Sequence, residues 1–174
     1  MSELYSITEK IISAGKGILA ADESTATMTK RLEAVNVPST AENRLLFRET
    51  LLSSEGMKNY IGGVILYDET VKQISSNKKT VPELISSSGA IPGIKVDTGA
   101  KVLANSKDEK ITEGLDGLRD RLKEYYKLGA RFTKWRAVYV ISGEFPSKLA
   151  INTNAHALAR YAALVQETGM VPIV

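Results

Sequence analysis

GKGILAADEST, residues 15–25, climbs through an apolar run from Ile18 to Ala21 and then stops on Asp22, Glu23, Ser24 and Thr25. A strand that ends in charge just before a helix begins is how many α/β enzymes display a site. The form recurs down the chain. Short β-rich apolar runs lie at GILAAD (17–22), GGVILYD (62–68), IPGIKVD (91–97), FTKWRAVYV (132–140) and MVPIV (170–174), each bounded by turn residues or charge.

Helical patterns fill the intervals. STAENRLLFRETLLSSEG opens with Ser39 and Glu42 at capping-box spacing and places Leu45, Leu46, Leu51 and Leu52 on a broad face. TVPELISSSG repeats the box with Thr80 and Glu83. GLDGLRDRLKEYYKLG puts Leu115, Leu118, Leu122 and Tyr125 on one stripe, with Gly129 just past its end, and NAHALARYAALVQETG ends in the same way at Gly169. Alternating βα units predict a parallel sheet with helices outside. Continuous apolar strands agree, because both faces of such a sheet are covered. The pattern fits either an open doubly wound sheet or a closed (β/α)₈ barrel. No G-x-G-x-x-G follows the first strand and no G-x-x-x-x-G-K-[ST] occurs, so GKG at 15–17 reads as a turn entering strand one.

Bulk properties narrow the function. The 174 residues suffice for one domain with a core, and 25% charged against 43% hydrophobic is ordinary for a soluble globular chain. The net charge is +3 with basic residues scattered among acids, which predicts no nucleic-acid partner. The absence of cysteine excludes disulfides, thiol nucleophiles and thiolate metal sites, and suits a reducing compartment. No run is long enough to span a bilayer, and MSELYSITEK lacks a basic region followed by an apolar one. The expectation is a cytoplasmic protein without a membrane partner.

Charge inside strands is the informative feature. Lys134 and Arg136 are two apart and share a face, as do Lys95 and Asp97, while Asp22 closes the first run. Burying an unpaired charge costs several kcal/mol, so such residues must be paired, hydrated or turned to a ligand cavity. In a barrel, alternate residues point inward and the C-terminal strand ends form the site. Strands one, three and four would then gather Asp22, Lys95, Lys134 and Arg136 in one mouth, an array suited to a phosphorylated substrate handled by an amine. Ser24 and Thr27 could donate to phosphate at a helix N-terminus, or cap the helix TMTKRLEAV. Lys30, Arg31 and Arg44 read from spacing as solvated helix positions. His156, the sole histidine, lies in a helix, and with no cysteine no metal site is expected. Trp135, opposite Lys134, is expected to pack outward as core.

GKGILAADEST, KRL, ENR, GGVIL, GIKVD, GLDGL, KWR and QETGMVPIV, in that order from Ile11 to Val174, resemble the class I fructose-bisphosphate aldolases. The resemblance implies a (β/α)₈ barrel, a homotetramer, no metal and no cofactor. The implied lyase reaction is reversible aldol cleavage of fructose 1,6-bisphosphate to dihydroxyacetone phosphate and glyceraldehyde 3-phosphate. Carried over by motif, Asp22 of AADEST orients the Schiff-base chemistry and Lys134 of KWR moves protons beside the imine. Arg136 and Lys95 hold substrate phosphate. Ser24 and Thr27 fall where the family presents hydroxyls near it, with Thr27 replacing a usual serine. Arg31 of KRL and Arg44 of ENR match basic positions associated with bisphosphate binding. The residue types suit the chemistry: an amine attacks the ketone, and the iminium accepts the electron pair of the broken C–C bond. Neighbouring cations lower an amine's pKa and keep it partly neutral, while Asp22 would balance the iminium.

In the family, MVPIV is the fifth of eight strands, and the Schiff-base lysine, the general acid/base glutamate and the second phosphate site follow it. A barrel of this kind typically takes about 250 residues. Residues 1–174 are thus expected to be the N-terminal part of a single barrel domain, covering about the first five βα strands and inactive alone. The alternatives are a non-catalytic phosphosugar-binding or scaffold half-barrel and, more remotely, a sugar-phosphate isomerase.

Overall fold

The computed structural model describes residues 3–13, 15–106 and 108–174. Met1 and Ser2, which open the stretch read above for an export signal, lie outside the described residues. In chain order the elements are α1 (Glu3–Ile11), β1 (Gly17–Ala21), α2 (Thr25–Glu33), α3 (Ala41–Leu52), α4 (Met57–Tyr60), β2 (Ile61–Leu66), α5 (Asp68–Val71), α6 (Val81–Ser87), β3 (Ile91–Lys95), β4 (Gly99–Val102), β5 (Lys110–Glu113), α7 (Leu118–Lys127), β6 (Phe132–Lys134), α8 (Lys148–Glu167) and β7 (Val171–Ile173).

The main sheet runs β1-β2-β3-β6-β7, and every pairing in it is parallel. Each strand is the neighbour of the one before it in this series. A doubly wound sheet needs a point where strand order reverses; here there is none, and the five strands are successive staves of a barrel wall.

Strand alternation sorts the side chains. The outward set, including Val64, Leu66, Ile94, Val96 and Trp135, packs with Leu118, Leu122, Tyr125, Tyr161 and Val165 of α7 and α8 in one buried core. Trp135 lies with its ring centroid 5.2 Å from that of Tyr161, as its position opposite Lys134 predicted. The inward set changes along the axis. At the N-terminal end Ile65 and Phe132 pack with Ile7 and Ile11 of α1. Close approach there requires glycine: a Cβ on Gly93 would lie 2.3 Å from Phe132 Cζ, and one on Gly62 2.0 Å from the Ile11 carbonyl oxygen. One layer further along, Lys95 pairs in register with Lys134, so the inward charges stand together at the C-terminal end.

Several sequence expectations need correction. FTKWRAVYV is strand only through Lys134, because the next residues are drawn off the sheet: Arg136 N donates to Asp97 Oδ2 at 3.4 Å and the Arg136 carbonyl accepts from Thr112 Oγ1 at 2.7 Å. The donor Thr112 belongs to an antiparallel hairpin, β4–β5, that the sequence did not reveal. The helix after Pro38 is capped by Thr40, which accepts from Asn43 N, and Ser39 instead meets Thr29 and Arg44. Its buried face is Arg44, Arg48 and Leu52, while Leu46 and Leu51 are exposed. The Thr80–Glu83 capping box is present in full. Gly129 and Gly169 take left-handed φ of +108° and +83° just past α7 and α8.

Candidate active site

A cavity of about 850 Å³ opens at the C-terminal ends of the strands. Asp22, Lys95, Asp97, Lys134 and Arg136 line it, with Ser24 and Thr27 at its edge. Lys95 and Lys134 are the last residues of their apolar strands, and Asp22, Asp97 and Arg136 follow within two residues of a strand end.

Lys134 donates to Asp22 Oδ2 at 2.7 Å, across 112 positions of sequence. Both are largely shielded, with side chains 24% and 12% exposed. Lys95 Nζ lies 2.8 Å from Asp97 Oδ1 and donates to the Asp97 carbonyl at 3.0 Å. Asp97 is buried and works twice more, accepting from Gly99 N at 3.1 Å and from Arg136 N at 3.4 Å. It thereby ties the third strand's lysine to the segment carrying Arg136. The Arg136 side chain is exposed at the mouth, and among the described residues no hydrogen bond or ion pair occupies its guanidinium. Across the whole lining five cations meet five carboxylates, so it is the unpaired guanidinium of Arg136, rather than a net positive charge, that leaves the mouth able to take an anion.

Ser24 caps α2, its Oγ accepting from Thr27 N at 3.3 Å, and the two hydroxyls lie 3.1 Å apart. Capping and cavity lining are therefore both true of Ser24. Arg31 and Arg44 are not brought to the cavity wall. Arg31 is exposed and paired with Glu23. Arg44, read from spacing as solvated, is instead buried: it bonds Glu69 Oε2 at 2.8 Å and the Ser39 carbonyl at 2.7 Å. The Glu69 bond holds its guanidinium pKa up, outweighing burial, and holds the Glu69 carboxyl down. His156 is exposed on α8. Among the described residues no group of three His, Cys, Asp or Glu could hold a metal ion, and no helix is long and apolar enough to cross a membrane.

The second strand's contribution was missed. Asp68 closes the apolar run GGVILYD as Asp22 closes GILAAD, although it lies one residue further past its strand, and that charge at the end of the run was the available signal. Tyr125 donates to Asp68 Oδ1 at 2.8 Å and Lys72 Nζ stands 3.0 Å from the same oxygen. Burial, helped by the Asp68 bond, pushes the Tyr125 hydroxyl up to about 12. Arg121 anchors the adjoining wall, donating to the carbonyls of Val96 at 3.0 Å and Gly114 at 2.5 Å. Asp68, Lys72, Arg121 and Tyr125 all line the cavity.

The chain is similar to known proteins along its whole length. The family described as fructose-bisphosphate aldolase class-I matches residues 3–174. A probable fructose-bisphosphate aldolase class 1 of Xylella fastidiosa is 50% identical over 174 residues, which is 100% of this chain and 52% of that protein. A cytosolic fructose-bisphosphate aldolase of Arabidopsis thaliana is 51% identical over 99% of this chain and 48% of its own. Among solved structures, fructose-bisphosphate aldolase from Plasmodium falciparum, in a ternary complex with TRAP and a small-molecule inhibitor, superposes with a TM-score of 0.95 at 45% identity. That match covers 99% of this chain and 50% of the other. The chain spans about half the length of the relatives it matches.

Proposed function

The chain belongs to the class I fructose-bisphosphate aldolase family, and from that premise we propose that the protein cleaves fructose 1,6-bisphosphate, reversibly, to dihydroxyacetone phosphate and glyceraldehyde 3-phosphate. The observation that carries the reading is the convergence of Asp22, Lys95, Lys134 and Arg136 on one cavity, with Lys134 and Asp22 2.7 Å apart.

In this reading residues 1–174 are the N-terminal part of one barrel domain, and the lysine that forms the imine lies outside them. What this chain contributes is binding and proton handling. The unoccupied guanidinium of Arg136 takes a substrate phosphate as a fork, and Lys95, held out by Asp97, adds a second cation. Ser24 and Thr27 offer hydroxyls at the same rim. Phosphate held away from the reacting carbons supplies binding energy that orients them. Lys134 and Asp22 form a proton-sharing pair beside the imine: the ammonium donates as the attacked ketone oxygen leaves as water, and the carboxylate balances the iminium. Arg31 and Arg44 act at one remove, Arg31 through Glu23 and Arg44 through Glu69. The homotetramer implied by the family resemblance and a cytosolic location, the latter supported by relatives named cytosolic, complete the proposal.

The test is a coupled assay of fructose 1,6-bisphosphate cleavage by the full-length protein with a chelator present. Turnover abolished in Lys134→Met supports the reading. No cleavage by the wild type would end it.

A further inference from the structure

Arg48, on the buried face of α3, has a side chain with no exposed surface. Replacing a buried ion by an apolar group of similar size is often neutral or stabilising, so stability alone does not account for an arginine there. Its contacts are directed. Nε donates to the Ala21 carbonyl at 3.1 Å and NH2 to the Glu23 carbonyl at 2.5 Å, the carbonyls of the two residues that flank Asp22.

The acidic neighbour plays a lesser part. Glu23 Oε2 stays 3.9 Å from Arg48 Nε, and neither that oxygen nor Arg48 NH1 has a hydrogen-bond partner among the described residues. A guanidinium held chiefly to neutralise a carboxylate would have closed that gap to the short distance of a charge-assisted bond. Instead the planar fork reads backbone. Ala21 is the last residue of β1 in register with β2, so Asp22 stands just beyond the ladder that fixes the strand. Two bonds from one rigid group hold the 21–22 peptide and the 23–24 peptide, and so bracket the residue between them.

We propose that Arg48 is a positioning residue for Asp22: its guanidinium clamps the carbonyls of residues 21 and 23 and so holds the Asp22 carboxylate against Lys134. This rests on the reading above for its kinetic consequence, though not for its geometry. The nearest sequence signal is FRETLL, in which an arginine occupies a helix's core-facing position.

The test compares wild type, Asp22→Asn, Arg48→Met and the double variant in the full-length protein. Arg48→Met keeps the volume without donors and is expected to lower kcat about tenfold or more with KM within about twofold. In the Asp22→Asn background the same change is expected to cost less than about threefold, because the residue it positions is already disabled. An unchanged kcat, or the full loss on top of Asp22→Asn, overturns the proposal. Arg48→Lys, which keeps the charge without the fork, serves where Arg48→Met does not fold, with the same kinetic expectations. Its crystal structure is a second, activity-independent measure: the Lys134–Asp22 contact is expected to open beyond about 3.5 Å. An Asp22 left in place there overturns the clamp. Failure of the wild type to cleave the sugar would sink the aldolase reading alone, leaving the crystallographic comparison to decide the clamp.

Discussion

Lys134 Nζ and Asp22 Oδ2 meet at 2.7 Å across the mouth, joining the first and fourth parallel strands of the wall. A proton-sharing pair of this kind contributes about 10²–10⁴ in rate when it acts as acid and base. Lys134→Met and Asp22→Asn are each expected to lower kcat by that order in the full-length protein, measured by steady-state cleavage. A loss below about threefold in both would remove them from the chemistry.

Arg136 presents a guanidinium with no partner among the described residues, so its truncation leaves no protein group orphaned. Arg136→Ala is expected to raise KM for fructose 1,6-bisphosphate about 10- to 100-fold, the loss of one charge-assisted contact. Thermal stability should stay within ordinary surface variation, about 0.5 kcal/mol. An unchanged KM would place the phosphate elsewhere.

The packing at the closed end of the wall makes a separate claim. A Cβ at residue 93 would meet the Phe132 ring at 2.3 Å, so Gly93→Ala must displace a fully buried aromatic. Overpacking of this kind costs about 1–3 kcal/mol. Urea denaturation should show the midpoint falling with an unchanged slope; an unshifted midpoint would mean the ring moves freely.

Glu109 ties the end of the β4–β5 hairpin to the start of α8, accepting from Ser147 N at 2.7 Å and from Ser147 Oγ at 2.6 Å. These bonds, with a further one from Ser106, hold its carboxyl below the ordinary value of 4.5. A depressed folded-state pKa stabilises above the unfolded value and loses that stabilisation as pH falls through the folded one. The Tm difference between wild type and Glu109→Gln is therefore expected to be full at pH 7 and to shrink as pH drops below 4.5, vanishing once the carboxyl is protonated in both states. A difference constant between pH 7 and pH 3 would contradict it.

Why some of this was visible in sequence and some was not has a physical basis. The strands were legible because staves covered on both faces are continuous apolar runs, and the charges ending them stood out against that background. Asp22, Lys95, Lys134 and Arg136 were found for this reason. Arg44 and Arg48 were not recognised as buried, because beyond the nearby Ser39 carbonyl their partners are Glu69 and the carbonyls of Ala21 and Glu23, 25 to 27 residues away, which no local period encodes. The β4–β5 hairpin was missed because its strands are short and carry lysine and threonine. Asp68 was within reach, since it is the charge that ends the second apolar run.

On the proposed function, this mouth serves carbon–carbon cleavage through an imine. Borohydride reduction of the full-length protein in the presence of dihydroxyacetone phosphate, read by intact mass, tests it most directly. One reduced adduct per chain, with adduct formation slowed in Lys134→Met, is the predicted result. Saturable sugar-phosphate binding with no covalent adduct would contradict it and leave a phosphosugar-binding barrel in its place.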